Sequence, residues 1–195
     1  MPVQVDSDER RRHITEAALR LVVEKGLAAV TFRKVAAEAR LNIGSVRHYF
    51  ADHESLVVAT VTAAGDRMGQ RLARHAVPRR PVGEAARRHL IAVLEEIVPL
   101  DDERRREAVV LLEVFAASRT SPAFVPVTRQ MAADLHAVLV EALIAIGVAH
   151  PVAEAVRLAA LVSGLSLNAV TAHGAVDPAT VQAVLRMHVA ALIMA

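Results

Sequence analysis

The chain predicts an all-α fold, and three observations carry that prediction. Of its 195 residues 54% are hydrophobic but only 3% aromatic, so the interior must be filled by Ala, Leu and Val, a composition that favours helices packed through small side chains. Apolar residues recur at three- and four-residue spacing, the period of one helix face. Proline and glycine stand at the ends of these stretches and act as stops.

The elements follow in order. Residues 1–7 show no periodicity and are expected to fray. From Asp8 onward Ile14, Ala17, Ala18, Leu21 and Val22 mark a first helix, and Gly26 stops it after Lys25. Thr31 is a cap for a second helix that carries Val35, Ala36 and Ala39 on one face. "RLN" turns the chain, and Ile43 to Tyr49 form a third, short helix. Asp52 caps a long fourth helix, roughly 52–75, that ends before "PRRP" at 78–81, the clearest punctuation in the chain. Four helical segments follow: about 83–98, ending at Pro99; "DDERRRE" to about 118, with its acids at the positive helix end; from Pro122 to Gly147; and from Pro151 to Gly174. Asp177 and Pro178 cap and open a last helix, the ninth. The two final segments are apolar around most of their circumference and require a partner surface.

Charge and composition narrow the function. The net charge is only +2, and the pI near 9.6 reflects arginine, since Lys25 and Lys34 are the sole lysines. Any contact with nucleic acid must therefore come from a local patch. The absence of cysteine excludes disulfides, thiolate metal sites and thiol catalysis. "MPVQVDSDERRRH" carries charges where a signal peptide needs an apolar run, and no later stretch offers about 18 uncharged apolar residues with suitable flanks. A cytoplasmic protein is expected. None of the nine histidines has another at i+4, and none belongs to a ligand motif, so neither a metal nor a cofactor is expected. "SGLS" at 163–166 lacks the glycine spacing and strand context of a nucleophile elbow. The neighbouring acids Glu95 and Glu96, and Asp101 and Asp102, belong to helix surface and caps. No enzyme is expected.

The stretch "TFRKVAAEARLNIGSVRHYF", residues 31–50, has the three ingredients of a helix-turn-helix. Ala36 is the small residue where two helices cross. Leu41 and Val46 lock the crossing, and Ser45, Arg47, His48 and Tyr49 are available to face outward. Gly44 lets the helix end approach a phosphate closely. The turn holds Arg40 where glycine would be expected; a left-handed backbone there costs roughly 1 kcal/mol.

These residues, with "RRRHITEAALRLVVEKG" before them and "ADHESLV" after, resemble the TetR family of bacterial one-component regulators over about residues 9–58. The stretches "PLDDERRREAVVLLEVFAASRTSPAF" and "LAALVSGLSLNAV" are similar to the C-terminal type of the betaine-responsive regulators. The resemblance implies a DNA-binding domain at 1–51 and a helical ligand-binding and dimerisation domain at 52–195. It implies that Thr31 touches phosphate, that Arg33 reaches a base edge, that Asn42 caps the recognition helix, and that Ser45, Arg47, His48 and Tyr49 face DNA. The family commonly has two adjacent aromatics and then histidine; here the order is "RHY", so base preference does not transfer. His53 stands where the family often has lysine on a phosphate.

In the C-terminal part Glu113 lies among apolar residues, where an ionised carboxylate needs a partner. That partner is either a cationic or hydroxyl-bearing ligand or an internal arginine such as Arg157. Asn168 either lines a ligand pocket or bonds across a subunit interface. Phe115, Phe124 and Met131 wall a pocket or fill the core. Ala160 and Gly164, four apart, offer small surface for a dimer contact made by the last two helices. The expected function is a homodimeric regulator, chiefly a repressor, placing two recognition helices in major grooves about 34 Å apart on an inverted repeat and released by a small effector. The rival readings are a small helical ligand-binding enzyme and a helical interaction protein.

Overall fold

A computed structural model describes residues 3–75 and 83–194. Among these residues it is all-helical, with no strand. The helices are α1 (Val3–Lys25), α2 (Phe32–Glu38), α3 (Ile43–Tyr49), α4 (His53–Leu72), α5 (Glu84–Glu95), α6 (Asp102–Ala117), α7 (Val125–Ala145), α8 (Pro151–Val170) and α9 (Pro178–Met194). Short 3-10 turns at Leu27–Ala29 and Pro122–Phe124 precede α2 and α7. The "PRRP" punctuation lies outside the described residues.

Two boundaries differ most from the sequence expectation. α1 begins at Val3 instead of Asp8; among the residues whose burial is described, Ile14 is the first it sinks into the core, so apolar periodicity marks the helix only from there. α8 ends at Val170, where Thr171 turns extended. Gly174 is required just beyond, since a Cβ on it would lie 2.4 Å from the Asn168 Cβ.

The chain packs as two compact units. One holds residues 1–66 and 109–129, the other 67–108 and 130–195. This packing cut differs from the functional division expected at 51/52: the first half of α4 and the second half of α6 belong with the first unit, the head.

In the head, Ile14, Ala17, Ala18, Leu21 and Val22 of α1 are buried with Val35 and Ala36 of α2, Val46 of α3 and Leu56, Val57 and Val61 of α4. Polar ties fix the angles between them. Arg20 Nε donates to Glu38 Oε1 at 2.7 Å, and His13 Nε2 donates to the Ala39 carbonyl at 2.8 Å. Asp52 Oδ1 accepts from the Ser55 amide while Ser55 Oγ accepts from the Asp52 amide, a reciprocal box that starts α4.

The second unit is built on an aliphatic core of Leu90, Leu94, Leu139, Leu143, Leu158, Val181, Leu185 and Val189, among others. α8 is long and apolar enough to cross a membrane by length and composition. It also carries the buried Glu154, bonded to Arg157 at 2.9 Å and His188 at 3.1 Å, and sinks Ala155, Leu158 and Val162 into this core.

One polar knot lies within the unit. The carboxylate of Glu107, 1% exposed, accepts from both terminal nitrogens of Arg71, at 2.9 and 2.5 Å. Arg71 also donates to the Glu96 carbonyl, and the Glu96 carboxylate takes hydrogen bonds from His75 at 2.9 Å and Arg104 at 3.0 Å. The hydrogen bonds from Arg71 to Glu107 hold the Arg71 guanidinium above its ordinary pKa. Glu96 is pushed up by burial, but the His75 hydrogen bond and the charges of Arg104, His75 and Arg71 outweigh this and set it below its ordinary 4.5. Close by, burial and then the neighbouring His75 lower His89 below the usual 6.5, and its Nε2 has no hydrogen-bond partner among the described residues.

A depressed folded pKa means that the unfolded chain takes up protons first. The His89 contribution is therefore complete above the unfolded value of 6.5 and is lost as pH falls from there toward the folded value. The thermal midpoint is expected to drop on acidification from neutral pH to about 5.5, and His89→Leu should flatten that slope in pH-dependent melting. An unchanged slope in the variant would assign the acid sensitivity elsewhere.

Candidate nucleic-acid interface

α2 and α3 are short, and their caps make them viable. Thr31 Oγ1 accepts from the Lys34 amide at 3.3 Å, and Asn42 Oδ1 accepts from the Ser45 amide at 2.7 Å and from Ser45 Oγ at 3.1 Å. Between them α2 closes with the Leu41 amide on the Ala36 carbonyl and the Arg40 amide on the Ala37 carbonyl. This is the 6→1 and 5→2 pattern that needs a left-handed residue after the helix. Arg40 supplies it at φ 55°, so the expected strain is present and the turn forms without glycine.

Burial then sorts the faces. Val35, Ala36, Ala39 and Val46 point into the head, whereas Thr31, Arg33, Lys34, Asn42, Gly44, Arg47, His48 and His53 are exposed and Ser45 and Tyr49 are half-buried. The His48 ring meets Tyr49 edge-on, with centroids 5.1 Å apart. An open concavity of about 520 Å³ is lined by Asn42, Gly44, Ser45, His48 and Tyr49 of this region together with Arg10 of α1. Gly44 has a local reason as well, since a Cβ there would come 3.2 Å from Asn42 Oδ1 and crowd the cap.

Three neighbours escaped the sequence reading. Arg10 reaches the concavity only through folding. Arg11 donates from Nη1 to the Tyr49 carbonyl at 3.1 Å and stacks 4.6 Å over the Phe50 ring, pinning α1 to the end of α3. Ile43, the first residue of α3, keeps 39% of its surface exposed; an apolar residue among exposed polar ones was the available signal.

The residues singled out in the C-terminal part fall in both packing units: Glu113, Phe115 and Phe124 in the head unit, Met131 and Asn168 in the other. Among the described residues Glu113 has neither Arg157 nor another arginine as its hydrogen-bond partner. Its Oε2 accepts from the Leu27 amide at 3.0 Å, beside Gly26 at φ 75°, so α6 holds the turn that joins α1 to α2. Arg157 pairs with Glu154 instead. Phe124 is buried and Phe115 is exposed. Asn168 packs its side chain against Gly174, and its carbonyl accepts from the Val176 amide. Ala160 is exposed, and a Cβ on Gly164 would meet nothing within 4 Å. No group of three or more potential metal ligands occurs among the described residues.

A small, capped helix pair with its apolar side buried and a basic, hydrogen-bonding side outward is a DNA-reading module. Comparison with known proteins gives the same class. Residues 14–60 match the model of the TetR family of bacterial regulatory proteins, and residues 86–194 match that of the BetI-type transcriptional repressor C-terminal domain. The chain belongs to the TetR family, with a C-terminal domain of the BetI type, and is a transcriptional regulator with a helix-turn-helix DNA-binding domain.

Among its relatives, the HTH-type transcriptional regulator PksA of Bacillus subtilis is 29% identical, over 97% of this chain and 92% of its own length. A regulator BetI of Burkholderia thailandensis is 35% identical over 44% of this chain and 42% of its own. A transcriptional regulator from Rhodococcus sp. Rha1 superposes with a TM-score of 0.84 at 27% identity, covering 94% of this chain and 96% of its own. The multidrug binding protein EbrR, solved with malachite green, gives 0.69 at 29% identity, covering 93% and 98%.

Removing the Glu113 carboxylate leaves the Leu27 amide without its partner. Glu113→Ala is expected to cost about 1–3 kcal/mol in urea unfolding, while Glu113→Gln, which keeps an acceptor oxygen, should lose less than half of that. Equal losses in the two variants would mean that charge, and not the bond to Leu27, is what matters.

Proposed function

We propose that the chain is a repressor that binds an inverted-repeat operator as a homodimer and is released by a small-molecule effector. The observation that carries the DNA reading is the exposed set Arg33, Arg47 and His48, with the half-buried Tyr49 beside them, on helices whose opposite faces are buried. In this reading Arg33 and Arg47 read guanine edges through paired donors, Ile43 contacts a thymine methyl, and Thr31, Gly44 and His53 meet phosphates. Asn42 and Ser45 serve mainly as the cap. Repression follows the description of the matched C-terminal family, and a regulator of this kind works in the cytoplasm.

Dimerisation is assigned to α8 and α9. Val152, Val156, Ala160, Ser163 and Leu167 recur along one side of α8 and stay exposed, as do Ala183, Met187 and Ala191 on α9; Met187 is 73% exposed. Apolar surface this continuous fits a partner helix pair, and Gly164 with Ala160 lets backbones approach. A twofold pairing through these helices supplies the symmetric heads that an inverted repeat requires.

For the effector, the aliphatic core of the second unit and the malachite green of the relative EbrR favour a largely apolar molecule bearing a cation. Met131 and Asn168, both in the second unit, are its proposed contacts. Glu113, engaged by the Leu27 amide, is proposed as the anchor of the α1–α2 turn. To lower operator occupancy a hundredfold the effector must favour the released state by about 3 kcal/mol.

Selection of bound duplexes from a random pool by the purified chain tests the DNA reading, with an inverted repeat as the expected outcome and no enrichment as the outcome against it. Arg47→Ala should then cost about 1–3 kcal/mol and relax preference at one position in each half-site. Equal weakening on every sequence would make Arg47 a phosphate contact. Val156→Asp and Gly164→Leu are expected to shift sedimentation toward monomer and to weaken operator binding together. Variants that sediment as unchanged dimers would move the interface off α8.

A further inference from the structure

We infer that Arg10 is a DNA-backbone contact, its guanidinium seating a phosphodiester at the edge of the groove that α3 enters. The inference rests on the DNA-binding reading above and adds to it a residue from outside the helix-turn-helix.

Arg10, Arg11 and Arg12 are consecutive on α1, yet the fold uses them differently. Arg11 is committed to the protein, through the Tyr49 carbonyl and the Phe50 ring. That double attachment holds this turn of α1 against the end of α3, and so fixes where its neighbour can point. Arg10 forms one wall of the concavity whose remaining lining is Asn42, Gly44, Ser45, His48 and Tyr49. No carboxylate is among them. Asp8 and Glu9 are exposed on the same helix but do not line it. Arg10 is itself exposed and has no hydrogen bond or ion pair among the described residues.

A cation without a counter-charge among the described residues, beside the helix that reads bases, meets a negative group when DNA docks. The guanidinium fork matches two phosphate oxygens and needs no base. Arg10 stands on α1, beside α3 and not on it, so the reachable group is the strand's backbone at the rim of the groove. Its contribution is therefore affinity and register without sequence preference.

The test compares the full-length wild type with Arg10→Ala and Arg10→Lys on the selected duplex, on single-base variants of it and across a salt series. Arg10→Ala is expected to weaken binding about tenfold on every duplex alike. The slope of log affinity against log salt should shrink by about one per protomer. Arg10→Lys should recover most of the slope. Circular dichroism melts of the variants should overlay the wild type, since Arg10 has no partner among the described residues. Unchanged affinity and salt slope in Arg10→Ala would overturn the assignment and leave DNA binding intact. A loss confined to one base pair would overturn it in favour of a base contact. If the wild type selects no sequence and retards no duplex, the regulator reading falls and the Arg10 contact with it.

Discussion

The burial of Glu107 is the constraint on which the polar interior of the second packing unit depends. An ionised carboxylate removed from water needs a partner of opposite charge and a full set of hydrogen bonds, and losing that partner costs about 3–5 kcal/mol. Arg71 provides both, because its planar fork meets the two carboxylate oxygens together. Arg71 in turn needs Glu96, and Glu96 draws in His75 and Arg104. Residues of α4, the end of α5 and α6 are thereby fixed to one another by directional bonds, whereas the aliphatic side chains around them tolerate sliding. α6 carries Glu107 toward one end and Glu113 six residues on. The first is locked to Arg71, and the second holds the Leu27 amide.

The head solves a different problem. α2 and α3 have seven residues each, too few to persist in water on propensity alone. Their caps, the left-handed Arg40 and the buried crossing of Ala36 and Val46 supply what length does not. The exposed face is consequently presented by a rigid pair, and an arginine on it can be held to a base edge without first ordering its own helix.

Sequence by itself determined a good deal. The stops and caps gave helices in their correct order, with α3 at Ile43–Tyr49 and caps at Thr31, Asn42 and Asp52. These are local events, decided by side chains within three or four residues of the amides they bind. The left-handed Arg40 was legible for the same reason, since the spacing of two helices around a short turn dictates its backbone. The outward face of α3 followed from period alone.

Only the tertiary structure decided which distant groups meet. Glu113 looked from its neighbours like a buried carboxylate in search of an arginine, but its partner is a backbone amide 86 residues away. Arg157, the proposed partner, is held by Glu154 three residues off. Glu107, inside the charged run "DDERRRE", gave no sign of being among the most buried side chains, because a run of charges has no apolar period to mark the one that turns inward. Arg10 likewise lines the concavity beside α3 only because Arg11 fastens α1 to Tyr49 and Phe50, 38 and 39 positions on. Pairings of this kind depend on the relative placement of whole helices, which local spacing does not encode.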